Sequence, residues 1–247
     1  MMLHGLLGSA AQWDGEAARL ACDRNCWQLE LPGISASDRC RDQSLPGLVD
    51  WFEQAVREHE WHSFDLLGSS WGGLLALAFA CVSPLRARLR RLVLVAPAHP
   101  LWMPCRRQRW MMTAWGTRCG AFLGARVPAN VHRALLAGMY GNPSRLDAQS
   151  VERYGATLRR AGLGAAMAAT TRHWRRDQRW LRPALPQLTA PTLLVWGDRD
   201  RVVPASTAPA LASALPGSRL AVLAGLGHLP FAEDPAAFHA IVGPFLA

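Results

Sequence analysis

Residues 63–80 read SFDLLGSSWGGLLALAFA and join two apolar runs through a short stretch of glycine and serine. The first run has the length and boundaries of a buried strand, and the second has those of a buried helix. Of the two serines between the runs, only Ser70 has a glycine two residues before it and another two residues after it, at Gly68 and Gly72. A sharp, strained strand-to-helix turn requires small neighbours at those positions. The stretch therefore predicts a turn that presents the Ser70 hydroxyl, and Ser69 is interpreted as an ordinary serine.

The alternation of strand and helix continues on both sides of this stretch. Four further apolar runs end in a turn signal, and they read WQLEL, LVLVAPA, TLLVWG and LAVLAG. Segments with a helical pattern lie between the runs, at residues 10–22, 46–60, 71–82, 205–215 and 235–246. This alternation predicts the α/β fold class, with a mostly parallel twisted sheet that is covered by helices on both faces.

Residues 99–185 interrupt the alternation. They contain no strand pattern, and the helical segments predicted in them lie at residues 106–116, 131–140, 148–162 and 165–181. A helical insertion between two strands of such a sheet covers the carboxyl ends of the strands, where α/β sheets bind ligands. We therefore divide the chain into a first part of the core (residues 1–98), a helical lid (residues 99–185) and a second part of the core (residues 186–247).

Composition bounds the class of protein further. The chain has 247 residues, half of them apolar, which is enough for one large domain. It has no apolar run of about 18 residues, as a membrane span would need, and no basic segment before its first apolar residues, as an export signal would have. These features predict a cytoplasmic protein with no membrane association. The six cysteines are too sparse for a disulfide framework and do not form a zinc set.

The positive charge is concentrated in the lid. All 27 basic residues are arginine, the net charge is +9, and residues 99–185 hold 15 of the arginines but only three of the 18 acidic residues. The same segment holds five of the eleven tryptophans, Trp102, Trp110, Trp115, Trp174 and Trp180. Arginine interleaved with tryptophan can indicate nucleic-acid binding, but charged runs are more often solvated helix faces. The arginine clusters at 106–109, 159–160 and 172–182 are also compatible with a lid that binds an anionic substrate or carrier. The tryptophans either line an apolar pocket or anchor helices.

An acid and a histidine follow Ser70 along the chain. A serine hydroxyl is a weak nucleophile and needs a base that a third group orients. Asp200 lies in DRDRVVP, directly after the predicted strand TLLVWG, and His228 lies in LGHLPF, directly after the predicted strand LAVLAG. The order Ser, Asp, His is the one found in hydrolases whose nucleophile stands on a strand-to-helix turn. It favours a nucleophilic Ser70 over a nucleic-acid-binding module.

Together these motifs resemble the α/β-hydrolase superfamily over nearly the whole chain. The resemblance is carried by LHGLLGSAAQW (3–13), LELPG (29–33), LLGSSWGG (66–73), PTLLVWGDRDRVVP (191–204) and LAGLGHLPFAEDP (223–235). It implies that Ser70 is the nucleophile, His228 the general base, and Asp200, rather than Asp198, the catalytic acid.

The resemblance implies further details of the site. It assigns the oxyanion hole to the backbone N–H groups of Leu6 and Trp71 and gives His4 a structural part beside it. No metal or organic cofactor is required by this scheme. The family has two strands and most of a third before its His-Gly turn, whereas His4 stands almost at the start of this chain, so the N-terminal strands are expected to be missing. The neighbours of an absent internal strand would lose hydrogen-bond partners.

A serine nucleophile also narrows the reaction. The dehalogenases and epoxide hydrolases of the superfamily use an aspartate, so Ser70 favours hydrolysis of a carboxylic ester or thioester of a small to medium acyl group through an acyl-enzyme. Hydrolysis of a carbon–carbon bond, or a reaction of the menaquinone-precursor synthase type, remains an alternative. A non-catalytic member of the fold that acts as a binding protein is an alternative of another class. The expected partner is a small-molecule ester. If the lid arginines bind substrate, that ester is anionic or linked to a carrier. The sequence does not predict the oligomeric state.

Overall fold

The computed structural model of the chain describes residues 1–33, 42–104, 128–160, 168–169 and 171–247. The strands in this part of the chain are β1 (Met2–Leu3), β2 (Gln28–Leu29), β3 (Phe64–Ser69), β4 (Leu89–Val95), β5 (Thr192–Gly197) and β6 (Arg219–Leu223). They form one sheet in the order β2-β1-β3-β4-β5-β6, and every neighbouring pair is parallel. The predicted α/β fold class is confirmed.

Helices follow the strands in the predicted order. The helices among the described residues are α1 (Asp14–Leu20), α2 (Leu45–Glu58), α3 (Ser70–Val82), α4 (Ala129–Ala137), α5 (Ala148–Leu158), α6 (Trp174–Leu181), α7 (Ala208–Ala214), α8 (Pro230–Glu233) and α9 (Pro235–Leu246). The Ser44 hydroxyl accepts a hydrogen bond from Gly47 N–H at the start of α2, and the Asp234 carboxylate accepts one from Ala237 N–H at the start of α9. Each cap satisfies a backbone N–H that has no acceptor within its helix.

The central strands bury side chains on both faces of the sheet. Leu92 and Leu94 of β4 belong to an apolar cluster that includes α2, α3 and α7. Val93 and Val95 of the same strand belong to a second cluster, which includes α1 and α9. Successive side chains of a strand point to opposite faces, so helices cover both sides of the sheet. This arrangement explains why the central strands were recognised as uninterrupted apolar runs.

The first strand is very short. Met2 of β1 pairs with Gln28 on one side and with Leu67 on the other, so two residues occupy the internal position where a strand was expected to be missing. They lie directly before His4. By pairing with the carboxyl end of β3, they support the strand that leads into Ser70.

The described parts of the lid region contain several helices joined by turns and loops. Within residues 99–185, the described parts contain α4, α5 and α6 and no strand. α4 and α5 pack on each other through a small apolar cluster that contains Leu136, Tyr140 and Tyr154, whereas Trp174 and Leu181 of α6 belong to the main core. The helix predicted at 106–116 lies outside the described residues. The division of the chain into core and lid therefore stays a prediction.

Candidate active site

Ser70 stands at the junction of β3 and α3 with a φ angle of +52°. This left-handed conformation is unusual for a residue other than glycine and marks a strained turn. The glycines on either side are required by contact: a Cβ on Gly68 would lie 2.5 Å from the Gly72 carbonyl oxygen, and a Cβ on Gly72 would lie 2.5 Å from the carbonyl oxygen of His4. The turn therefore has the geometry that the sequence predicted, and Ser70 is only half-buried.

Asp200 and His228 are joined by a hydrogen bond. The distance from His228 Nδ1 to Asp200 Oδ2 is 2.8 Å, and both side chains are buried. Because a carboxylate only accepts, His228 Nδ1 carries the proton, and Nε2 of the neutral ring is left as an acceptor. The other carboxylate oxygen, Oδ1, accepts from the backbone N–H groups of Val202 and Val203 at 2.7 and 3.0 Å. Asp200 is therefore fixed in place while it orients the imidazole.

Asp198, the other acid of this loop, is arranged differently. It is exposed, and its Oδ1 accepts a hydrogen bond from Gly225 N–H at 2.7 Å. The structure thus gives Asp198 the geometry of a turn carboxylate and brings only Asp200 to His228.

The backbone before His228 is held by residues that the sequence analysis did not single out. His228 N–H donates to the Met139 carbonyl at 2.7 Å. The N–H of Gly227 donates to the Glu233 carboxylate at 2.6 Å. Glu233 lies within the stretch LAGLGHLPFAEDP, and the available signal was a pair of adjacent acids, Glu233 and Asp234, after an apolar segment. The backbone partners of Glu233 could not be identified without the fold.

The predicted oxyanion donors lie beside Ser70. Trp71 N–H belongs to the first turn of α3, where N–H groups have no acceptor within the helix. Leu6 N–H has no backbone acceptor in the described part of the chain. His4 is fully buried; its Nε2 accepts from Leu31 N–H at 3.0 Å, so Nδ1 is protonated and donates to the Gly5 carbonyl at 2.7 Å. His4 thereby orients the peptide that precedes Leu6, as expected of a structural residue.

A cavity of about 880 Å³ opens beside these groups, and both Ser70 and His228 line it. Among the described residues, Ser70 Oγ has no hydrogen-bond partner, so the hydroxyl is available to a ligand in the cavity. The apolar and aromatic side chains of the wall come from the core and from the lid region: Leu6, Trp71, Trp102, Leu136, Tyr140, Tyr154, Trp174, Val203, Leu229 and Phe231. The site is therefore a mostly apolar pocket with a few polar groups, as small-molecule sites usually are.

Two tryptophans of the lid region, Trp102 and Trp174, form an aromatic cluster with Trp71 of the core. Trp174 of α6 contacts both Trp71 and Trp102, with ring centroids 5.6 and 5.7 Å apart, and all three line the cavity. These lid tryptophans both anchor a helix and form the pocket wall. Trp180 is partly exposed at 37% and lies on the surface of α6. Trp110 and Trp115 lie outside the described residues.

Among the described residues, few charged side chains line the cavity. Arg153 of α5 and Arg201, which follows Asp200, are the arginines among its described lining residues. Arg159 instead pairs with Glu152 at 2.6 Å on an exposed surface. The arginines of 172–182 are exposed too, and the cluster at 106–109 lies outside the described residues. Most arginines that the structure describes in the lid therefore occupy solvated faces.

Burial shifts the pKa of several groups near the pocket. Burial raises the pKa of Tyr140 to about 12 and also raises that of Tyr154, so both tyrosines of the chain stay neutral hydroxyl groups. Burial lowers the pKa of His99 to about 4, and that imidazole, which follows β4, is neutral. The described residues contain no group of three His, Cys, Asp or Glu side chains able to hold a metal ion. They also include no helix long and apolar enough to cross a membrane, and the cytoplasmic location stays a prediction.

Comparisons with known proteins agree with the fold. The family model described as alpha/beta hydrolase fold matches residues 1–235. A pimeloyl-[acyl-carrier protein] methyl ester esterase of Aeromonas salmonicida is 31% identical to the chain over 250 residues, covering 100% of this chain and 94% of the relative. An enzyme of the same name from Nitrosomonas europaea is 27% identical, covering 96% and 91%. An esterase from Exiguobacterium antarcticum has a similar solved structure, with a TM-score of 0.81, 19% identity and coverage of 99% and 90%.

Proposed function

Because the chain belongs to the α/β-hydrolase fold family, we propose that it is a serine hydrolase that cleaves a carboxylic ester through an acyl-enzyme. One observation carries the proposal: Ser70, strained at φ +52°, lines the same cavity as His228, whose Nδ1 is bound to Asp200. A nucleophile, a base and a group that orients the base are the three parts that acyl transfer by serine needs.

The reaction follows from the roles of these groups. Ser70 Oγ attacks the ester carbonyl carbon while His228 Nε2 takes the hydroxyl proton, and Asp200 stabilises the imidazolium. The negative charge that develops on the carbonyl oxygen is met by the N–H groups of Leu6 and Trp71. The intermediate then collapses: the alcohol leaves with the proton from His228, and Ser70 keeps the acyl group. Water, deprotonated by His228, attacks the acyl-enzyme and releases the acid and the free serine.

The shape of the cavity supports an acyl group of medium length. Its volume of about 880 Å³ and its aromatic wall suit an aliphatic chain, whose burial contributes roughly 0.8 kcal/mol per methylene. The relatives from Aeromonas and Nitrosomonas are named as esterases of a pimeloyl methyl ester on an acyl-carrier protein. We therefore assign this chain a methyl ester of a carrier-linked acyl group as its substrate class, with only the acyl chain inside the cavity.

A fluorophosphonate probe tests the proposal, because it labels a serine only when an oriented base activates it. The wild type should be labelled, Ser70→Ala should not, and Ser69→Ala serves as the matched control because Ser69 is the adjacent serine and is fully buried. A panel of methyl esters graded by chain length, with and without a carrier, then measures kcat and KM. Absence of labelling in the folded wild type refutes the proposal.

Two matched arginine pairs test whether charge in the cavity selects the substrate. Arg153 of α5 and Arg201 line the cavity. Arg159, the C-cap of α5, and Arg199, on the same loop as Arg201, are not among the lining residues. Arg153→Gln and Arg201→Gln should raise KM for an anionic ester by about tenfold, the effect of roughly 1.4 kcal/mol, with little change for a neutral ester. Arg159→Gln and Arg199→Gln should change neither. Equal effects on both esters exclude a charge-selective cavity.

A further inference from the structure

The Glu233 carboxylate is buried at 5% exposure and is held by three backbone N–H groups. Its Oε1 accepts from Gly227 at 2.6 Å, and its Oε2 accepts from Gly141 at 2.9 Å and from Asn142 at 3.2 Å. A buried charge is costly unless its hydrogen bonds are made, and bonds from N–H groups to a carboxylate are among the strong ones. Glu233 therefore joins the loop before His228 to a segment of the lid.

The two joined segments touch through their backbones. We call residues 225–228 the histidine loop and residues 139–142 the lid turn. His228 N–H donates to the Met139 carbonyl at 2.7 Å. A Cβ on Gly227 would overlap the same carbonyl oxygen, and a Cβ on Gly141 would overlap the Gly225 carbonyl oxygen. Neither segment can shift without the other.

We propose that Glu233 is a positioning residue for His228, fixing the histidine loop against the lid turn and thereby the place of the imidazole in the cavity that Ser70 also lines. This inference rests on the proposed function. Within the described part of the chain, the hydrogen bonds of the Glu233 carboxylate all come from backbone N–H groups. It acts on the reaction through the loop that carries His228. Asp200 sets the rotation of the imidazole ring, and Glu233 sets the position of its backbone.

A neutral amide cannot take the place of this carboxylate. Glutamine has the same size but only one acceptor oxygen, and its NH2 group would face an N–H donor. Glu233→Gln therefore detaches either the histidine loop or the lid turn. A displacement of about 1 Å at a catalytic group can cost about 10²-fold in rate. We expect kcat to fall by about 10- to 100-fold on that basis, with a much smaller change in KM, because the cavity wall is retained.

The matched control is Glu53→Gln. Glu53 of α2 is also a buried carboxylate, at 7% exposure, and accepts from Ser83 Oγ at 2.7 Å and from Arg57 Nη2 at 2.9 Å. It does not line the cavity among the described residues. The experiment measures kcat, KM, fluorophosphonate labelling rate and Tm for both variants. Both should lose thermal stability, and only Glu233→Gln should lose kcat and labelling rate.

A second measurement separates positioning from general loss of structure. In a His228→Ala background, Glu233→Gln should cause no further loss of the residual hydrolysis, because the residue through which it acts is gone. The downfield proton resonance of His228 Nδ1–H should also shift or broaden in Glu233→Gln and stay in place in Glu53→Gln.

The outcomes distinguish this inference from the proposed function. If the wild type is labelled and Glu233→Gln retains the wild-type kcat and labelling rate, the positioning role is refuted while the serine hydrolase stands. An additive loss in the His228→Ala background refutes it as well. No labelling of the folded wild type refutes the function itself. If Glu233→Gln does not fold, Glu233→Asp replaces it: the charge stays, the carboxylate is withdrawn by one methylene, and an unchanged kcat overturns the proposal.

Discussion

The backbone strain at Ser70 should be measurable as a difference in the free energy of unfolding between two variants of this residue. A side chain with a Cβ in the left-handed region costs about 1–2 kcal/mol, and Ser70 has a φ of +52°. Glycine avoids this steric cost but loses more chain entropy on folding, by roughly 0.5–1 kcal/mol relative to alanine. Ser70→Gly should therefore have a free energy of unfolding about 1 kcal/mol higher than that of Ser70→Ala. Both variants lack the hydroxyl, so their difference isolates the backbone.

A residue outside the site calibrates this difference. Glu60 has the same φ of +52°, is exposed, and follows the C-terminus of α2. The free energy of unfolding of Glu60→Gly should exceed that of Glu60→Ala by a similar amount. For a chain of this length, 1 kcal/mol corresponds to about 2–4 °C in Tm, within reach of differential scanning calorimetry. If the Glu60 pair shows the gain and the Ser70 pair does not, the turn does not store strain at Ser70.

Two further predictions concern the acid of the site and a buried imidazole. Asp200→Asn should lower kcat by about 10⁴-fold, as loss of the orienting acid does in serine hydrolases, whereas Asp198→Asn should leave steady-state kinetics close to the wild type. The pKa of His99 falls from 6.5 to about 4 on folding because the ring is buried, so the stability it contributes is full above pH 6.5 and is lost as the pH falls from 6.5 to about 4. Over that range, the free energy of unfolding of His99→Gln, measured by urea denaturation, should fall less than that of the wild type, by up to about 3 kcal/mol. A parallel dependence in both proteins would contradict the burial argument.

The fold was predictable wherever the burial of an element produces a run of apolar residues in the sequence. β3 and β5 appear at the apolar runs FDLLG and TLLVWG because both faces of these strands are covered. β1 was not predicted, because two residues are too few to show an alternation of apolar and polar side chains. The strand is defined by its pairing with β2 on one side and β3 on the other. The helix ends of the lid also differ from the prediction: the segment expected at 148–162 is helical from Ala148 to Leu158.

The candidate site was predictable to the extent that side chains do its chemistry. The Asp200–His228 pair follows from two strand-end loops, and the structure joins the two residues by a hydrogen bond. Glu233 could not be assigned, because its partners are backbone N–H groups that every residue except proline carries. The distinction between Arg153 and Arg159 was equally inaccessible, since it depends on which side of α5 docks on the core. In both cases the missing information is a contact between segments distant in sequence.

The separate apolar cluster of α4 and α5 has a consequence for heating. A unit with its own small core can open cooperatively at a lower free energy than the whole molecule. Amide hydrogens of α4 and α5 should therefore exchange with deuterium faster than those of β3 or α3, which are buried in the main core. Because the lid turn follows α4 directly, such an opening releases the loop that carries His228. Activity should then be lost, reversibly, at temperatures where the sheet is still intact.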